Sequence, residues 1–276
     1  MRKTITCLAV ALTFSVQANC WAVPQTVNLS ASKDVSLFQN NVNNSSGAGN
    51  GLIAGTNGNT QPRRALIEFD IAGALPANAT VQAVRLDLVL GATAGGGGTG
   101  GGPANVTIGL HKLSADWGEG IAQQSNPKTD TLGGQGQGAA AANGDATWLS
   151  NFHNSSLWAT PGGDFAAAAS ASLVVGGTLN ATNSWASTAA LVSDVQGWFN
   201  SPATNFGWAI VNTDEATANT SRTFFSRDVL TSSLRPILAV TYDVIPEPST
   251  GVLSLIAASS ALKLTQSGWR RRLCPR

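Results

Sequence analysis

Ala65-Leu66-Ile67-Glu68-Phe69-Asp70-Ile71, then Leu75-Pro76, then Val81-Gln82-Ala83-Val84-Arg85-Leu86-Asp87-Leu88-Val89-Leu90 sets the fold class of this chain. In the second segment Val84, Leu86, Leu88 and Leu90 share one face while Arg85 and Asp87 share the other. A period of two is the signature of a half-buried antiparallel strand, because successive side chains leave a strand on opposite faces. Strand character recurs outward in both directions. Thr26 to Leu29, Asp34 to Phe38 and Leu52 to Gly55 precede the pair, and Asn57-Gly58-Asn59 is a turn signal. Val106 to Leu113, Ser172 to Val175, Phe206 to Val211, Arg222 to Arg227 and Ile237 to Tyr242 follow it. No internal repeat of fixed period interrupts them. The expected fold is all-β: a single antiparallel sandwich or jelly roll.

One helix is expected among the strands. Leu191, Val192, Val195, Trp198 and Phe199 fall at helical spacing within residues 188–199, with Ser187 or Thr188 as its cap. Residues 115–169 read as a long loop-rich excursion that ends in an alanine run suited to a helical turn. A loop of that length in a compact domain is usually functional or mobile. The run Gly95 to Gly102 reads as a flexible hairpin tip. It is not a phosphate loop, since no Lys-Ser/Thr follows it.

The two ends read differently from the middle. Met1-Arg2-Lys3 is a basic start, Cys7 to Val16 is an apolar run, and Cys20-Trp21-Ala22 places cleavage after Ala22. At the other end Ile245-Pro246-Glu247-Pro248-Ser249-Thr250 leads into the mostly apolar Gly251 to Leu264, and the chain then reaches Trp269-Arg270-Arg271-Arg272. Pro246 and Pro248 fix φ and remove backbone donors, which keeps that strip extended and accessible to an enzyme. The arginines favour a cytoplasmic end, leaving everything before Ile245 outside. This tail resembles the PEP-CTERM sorting signal of Gram-negative bacteria that export polysaccharide. The resemblance implies sorting by an exosortase-type enzyme at Pro246, Glu247 and Pro248, and membrane contact through the C-terminal segment. The expected division is a signal peptide at 1–22, one domain at 23–244 and a sorting tail at 245–276.

Composition supports the same division. The cysteines are Cys7, Cys20 and Cys274, so the domain contains none and burial and hydrogen bonding alone hold it. Between Val23 and Asp243 nine basic residues face fourteen acidic ones, a charge of −5, against +1 for the whole chain. Such a domain has no electrostatic reason to bind nucleic acid.

The order of short segments across 26–243 is similar to the DNRLRE domain, a cell-surface β-sandwich related to alginate-type carbohydrate-binding modules. The residues that carry this are Arg64 to Asp70, Ala83 to Leu88, His111-Lys112-Leu113 with Trp117-Gly118-Glu119, Thr147-Trp148, and Gly162-Gly163-Asp164-Phe165. Val195-Gln196-Gly197-Trp198, Asn205-Phe206-Gly207, Phe225-Ser226-Arg227-Asp228 and Arg235 to Tyr242 complete the series. Asp228 stands where such domains more often show Glu. The resemblance implies a non-catalytic, polysaccharide-associated surface domain.

Residues that suggest chemistry are few. The six tryptophans of the domain are Trp117, Trp148, Trp158, Trp185, Trp198 and Trp208. Trp198 and Trp208, among apolar neighbours, read as core. Trp148 and Trp158, among Asn, Ser and Thr in the excursion, are the candidate carbohydrate-binding rings, since flat aromatic faces suit the apolar faces of sugars. Arg63 and Arg64 are candidates for an acidic polymer, or for a neighbouring carboxylate. Asp116 and Glu119 are three residues apart and are candidates for calcium, an acid–base pair, or solvated and Arg-paired carboxylates. A structural calcium could also use Asp34, Asp70 or Asp87 with loop carbonyls, although no calcium-loop motif is present. His111 and His153 lack a second imidazole or thiolate at ligand spacing, which argues against zinc, and neither has a nucleophile elbow. The expected function is an exported, non-enzymatic surface or matrix protein associated with extracellular polysaccharide. The competing expectations are a polysaccharide lyase or hydrolase and a purely structural or adhesive biofilm matrix protein.

Overall fold

The computed structural model describes residues 23–94, 102–123, 130, 132 and 135–244. The expected leader, the expected sorting tail with Pro246, Glu247 and Pro248, and residues 95–101 of the expected Gly95–Gly102 tip lie outside the described residues. Pro24–Val244 is one compact unit. Among the described residues no helix is long and apolar enough to cross a membrane.

The described residues form strands β1 (Gln25–Phe38), β2 (Asn44–Ser45), β3 (Gly51–Thr56), β4 (Pro62–Phe69), β5 (Ala79–Thr93), β6 (Val106–Lys112) and β7 (Ala139–Ala140). They continue with β8 (Ser150–Phe152), β9 (Ser156–Leu157), β10 (Ala171–Val175), β11 (Thr182–Trp185), β12 (Trp208–Asn212), β13 (Arg222–Phe225) and β14 (Ile237–Val244). One α-helix, α1 (Ala189–Asn200), precedes β12. The described strand pairings are antiparallel.

The quoted pair lies at the centre. β5 pairs with β14 over Ala79 to Asp87, with β11 over Leu86 to Val89 and with β13 over Leu90 to Thr93. β4 pairs with β12, which pairs with β6, and β6 pairs with β10. β1 joins these two groups. Its first half, Gln25 to Ser30, pairs with β14, and its second half, Ala31 to Phe38, pairs with β4.

The register shift between Ala31 and Lys33 is a bulge, and it inverts the alternation of β1. Leu29 and Ala31 lie in the first core, whereas Val35 and Leu37, of the same parity, lie in the second. Asp34 and Ser36 are turned to the other side and are fully buried. Without the extra residue Asp34 would fall on the face that Val35 and Leu37 occupy, so the bulge gives the buried carboxylate its place.

The first core gathers Ile67 and Phe69 of β4, Val84, Leu86 and Leu88 of β5, Ile108 and Leu110 of β6, and Leu238 and Val240 of β14. Each such side chain contributes about 1.5–3 kcal/mol when it leaves water. The helix adds Leu191, Val195 and Trp198, as its spacing predicts. Thr188 caps it, accepting the Leu191 N–H at 3.0 Å, while the alternative, Ser187, accepts the Val84 N–H instead. Trp198 meets Trp208 edge-on, with centroids 4.6 Å apart.

The second core lies on the opposite side of β4 and β12. Leu66, Ala209 and Val211 join Val35 and Leu37 there, covered by Leu113, Trp117, Ala146, Trp148 and Trp158. The excursion is therefore a third layer. It lacks the helical turn expected of its alanines, since Ala166 to Ala169 carry only bends. Its backbone bonds are closed locally instead: Gly118 N–H to Asn151 O at 3.0 Å, Ala146 N–H to Gly118 O at 2.7 Å, Trp158 N–H to Leu149 O at 3.1 Å and Gly162 N–H to Trp148 O at 2.6 Å.

Candidate functional site

The bulge brings Asp34 to a junction of distant segments. The Asp34 N–H donates to Glu119 Oε1 at 2.9 Å, and the Arg227 N–H donates to Asp34 Oδ2 at 2.8 Å. Arg227 Nη1 reaches both Glu119 oxygens at 2.9 Å and also donates to Ser32 O. One carboxylate oxygen each of Asp34, Glu119 and Asp228 lies within 4.8 Å of the others. Burial pushes the Asp34 carboxyl well above the usual carboxylate range, against the pull of the Arg227 N–H. Burial also raises Glu119, opposed by the Asp34 N–H and by Arg227.

The sequence candidates are placed otherwise. Asp116 points to Lys33, with Oδ1 2.9 Å from Nζ, so it stands apart from Glu119, which goes to Asp34. Lys33 also pairs with Glu68 at 3.0 Å and lies over the Trp117 ring, 4.6 Å from its centroid. Burial raises Glu68 from its ordinary value, opposed by Lys33. Asp70 accepts the Gly73 N–H at 2.9 Å, and Asp87 pairs with Arg85 and accepts the Ser184 hydroxyl. Neither of them joins the Asp34 cluster.

Trp148 and Trp158, the candidate carbohydrate-binding rings, are 5% and 4% exposed. Both are packed into the second core because they are the bulkiest apolar groups available to cover Leu66 and Val211. Their polar sequence neighbours serve the turns around them: Thr147 Oγ1 accepts the Ser150 N–H at 3.0 Å, and Asn151 Nδ2 donates to Asp116 O at 3.0 Å. Arg63 is buried and donates to Gly136 O at 2.7 Å. Arg64 takes the carboxylate alternative, holding Glu215 through Nε at 2.9 Å and Nη2 at 2.7 Å. It lies between the Trp148 and Phe165 rings, 4.9 and 5.1 Å from their centroids. Trp148, Trp158 and Arg63 are thus buried, and Arg64 is held by Glu215.

What faces solvent instead is a pair of phenylalanines. Phe165 and Phe206 are half-buried and line an open cleft of about 410 Å³ with Lys112, Ser114 and Thr204. The Gly162-Gly163-Asp164 turn that precedes Phe165 is fixed by Asp164, which accepts the Ala159 and Thr160 N–H groups at 2.8 Å. Leu113 bridges Phe165, and Lys112 O accepts the Ala166 N–H at 2.8 Å. Phe206 is held beside them by the Trp117 Nε1 donation to its carbonyl at 2.9 Å. Lys112 lies 3.3 Å from Asp194 and keeps 38% of its side chain exposed. His111 Nδ1 is 2.9 Å from Ala166 O, and its ring tilts against Phe165. A second open cleft, of about 340 Å³, is lined by Asn43, His153, Asn154 and Leu157.

Sequence reasoning passed over Phe165, Phe206 and Asp228. Phe165 and Phe206 lie in two of the family-like segments, Gly162 to Phe165 and Asn205 to Gly207, but nothing local tells a cleft ring from a core ring. Asp228 is far from Asp34 in the chain, and only the turn after β13 brings them together. No protein-family model matches the chain, and no curated protein matches it.

Proposed function

We propose that this protein is an exported, non-enzymatic component of the cell surface or extracellular matrix, built on a β-sandwich that associates with extracellular polysaccharide. The observation that carries this reading is the open cleft with Phe165 and Phe206 on its walls and Lys112 at its side. Partly exposed aromatic faces stack on the apolar faces of sugar rings, hydroxyls such as those of Ser114 and Thr204 meet sugar hydroxyls, and an ammonium favours acidic units. The basic-apolar leader and the Pro246-Glu247-Pro248 tail support export and sorting by an exosortase-type enzyme in a Gram-negative envelope, with the tail in the membrane. The likeness to the DNRLRE domain points the same way, and a domain charge of −5 argues against nucleic acid as a partner.

The second reading is a polysaccharide lyase or hydrolase, favoured by the raised carboxyls of Asp34 and Glu119. A general acid must touch the glycosidic oxygen. Asp34 is 1% exposed, and none of the clefts described above is lined by Asp34, Glu119 or Asp228, so burial disfavours that reading.

The test is binding of the purified protein to a polysaccharide panel that includes the native matrix. Saturable binding is expected, weakened about tenfold or more by Phe165→Ala or Phe206→Ala while the melting temperature changes little. Absence of binding by the folded protein would leave the structural matrix role. Shortening of the polymer would establish the enzyme.

A further inference from the structure

Four stretches remote in sequence converge where β1 leaves its bulge: Asp34, the loop before β3, the segment around Glu119, and the turn after β13. They are held backbone to backbone. Gly47 lies so close to the Glu119 carbonyl that a Cβ there would stand 1.7 Å from its oxygen. The Ala48 N–H donates to Ala122 O at 3.1 Å, and Ser226 gives its N–H to Asn50 O at 2.9 Å and its hydroxyl to Gly49 O at 2.6 Å. Into this junction the chain puts the carboxylates of Asp34, Glu119 and Asp228, with one oxygen of each inside a 4.8 Å span.

Arg227 supplies a positive charge, and it is engaged with both oxygens of Glu119. Asp34 is left in an unusual state. Its Oδ2 takes the Arg227 N–H, but its Oδ1 is buried and accepts no hydrogen bond from any described residue. A buried carboxylate oxygen without a donor is costly, and the cost falls away when a cation coordinates it. We infer that Asp34, Glu119 and Asp228 bind a calcium ion, with Asp34 Oδ1 as the buried ligand.

The donor chemistry selects the metal. The three side chains offer oxygen alone, with no imidazole or thiolate among them, which suits a hard cation and disfavours zinc. They come from a strand just past its bulge and from two irregular, separately anchored segments, and calcium accepts varied geometry and added carbonyl or water oxygens, whereas magnesium demands a tight octahedron. Such an ion pins the excursion and the turn after β13 to β1. This inference stands independently of the polysaccharide reading, because the cluster and the phenylalanine cleft share no residue.

The experiment is a calcium chloride titration of the protein after chelator treatment and dialysis, followed by calorimetry and by thermal unfolding. Saturable binding is expected, with a melting temperature that rises with free calcium, and with magnesium chloride less effective. Asp34→Asn keeps the shape and removes the buried charge, so it should fold at least as well as the metal-free wild type and lose the response. Asp228→Asn, at a less buried position, should weaken calcium binding about tenfold or more. Asp116→Asn, whose carboxylate serves Lys33, should respond as wild type does. Failure of calcium at about 10 mM, well above the affinities of extracellular calcium modules, to bind or to move the melting temperature would overturn the site. So would an unchanged response in both Asp34→Asn and Asp228→Asn.

Discussion

The core between β5, β14, β4 and β6 and the layer that the excursion lays over β4 and β12 are both apolar, but they are made by different means. In the first, strand alternation does the work: Val84, Leu86 and Leu88 of β5 face Ile67 and Phe69 of β4, and the ladders satisfy the backbone. In the second, one side is strand and the other is a chain with almost no regular structure. There Trp117, Trp148 and Trp158 supply the volume, and Trp117 and Trp158 anchor themselves by donating Nε1–H to Phe206 O and Thr147 O. An irregular segment covers a sheet only if each turn closes its own hydrogen bonds. Asp145 does this by accepting the Ala142 N–H at 3.0 Å, and Asp164 and Thr147 do the same for their turns. The cover also tolerates charge. Arg64 and Glu68, on the Leu66 face of β4, are each matched by a partner and beneath or beside an aromatic ring or its cation: Glu215 and Trp148 for Arg64, Lys33 for Glu68.

The largest effect is expected in the first core. Trp208→Ala removes a fully buried ring and the N–H that reaches Asp194 Oδ2 at 3.0 Å. It should lower the stability of the whole unit by about 3–5 kcal/mol, seen as a lower denaturant midpoint in every probe. Trp158→Ala, nearly as buried, should behave differently. It should cost about 1–2 kcal/mol globally, while hydrogen exchange rises through 144–162 and the amides of β5 and β14 stay protected. Simultaneous loss of protection in both regions would break the comparison and make them one cooperative unit. Arg64→Met sharpens it further. The substitution keeps apolar bulk between Trp148 and Phe165 but strands Glu215, at an expected cost of about 1–3 kcal/mol. Limited proteolysis should then cut first within the excursion, before β4 or β12 is reached.

Much of the first core was legible in residues. The alternation of Val81 to Leu90 and the helical spacing of Leu191 to Trp198 are local periodicities, and each has the place it predicts in β5 and α1. β11 was not legible: Thr182-Asn183-Ser184-Trp185 is short and polar, and it is a strand only because β5 offers it an edge. Trp148 and Trp158 show the limit most clearly. A polar sequence context says that a segment lies near water, yet the Asn, Ser and Thr around these rings satisfy the turns while the rings turn inward.

By itself the sequence determined the mostly β class, the strands of β4 and β5, the helix, and the acidic, cysteine-free character of the domain. These depend on periodicity and composition, which act over a few residues or none at all. Only the tertiary structure decided that β1 carries a bulge, that Thr188 rather than Ser187 caps the helix, that Glu119 leaves Asp116 to join Asp34 and Asp228, and that Phe165 and Phe206 line one cleft. Each of those facts is a meeting of segments dozens to nearly two hundred residues apart. No local pattern encodes such a meeting, because it is set by which sheet faces remain to be covered once the strands have paired.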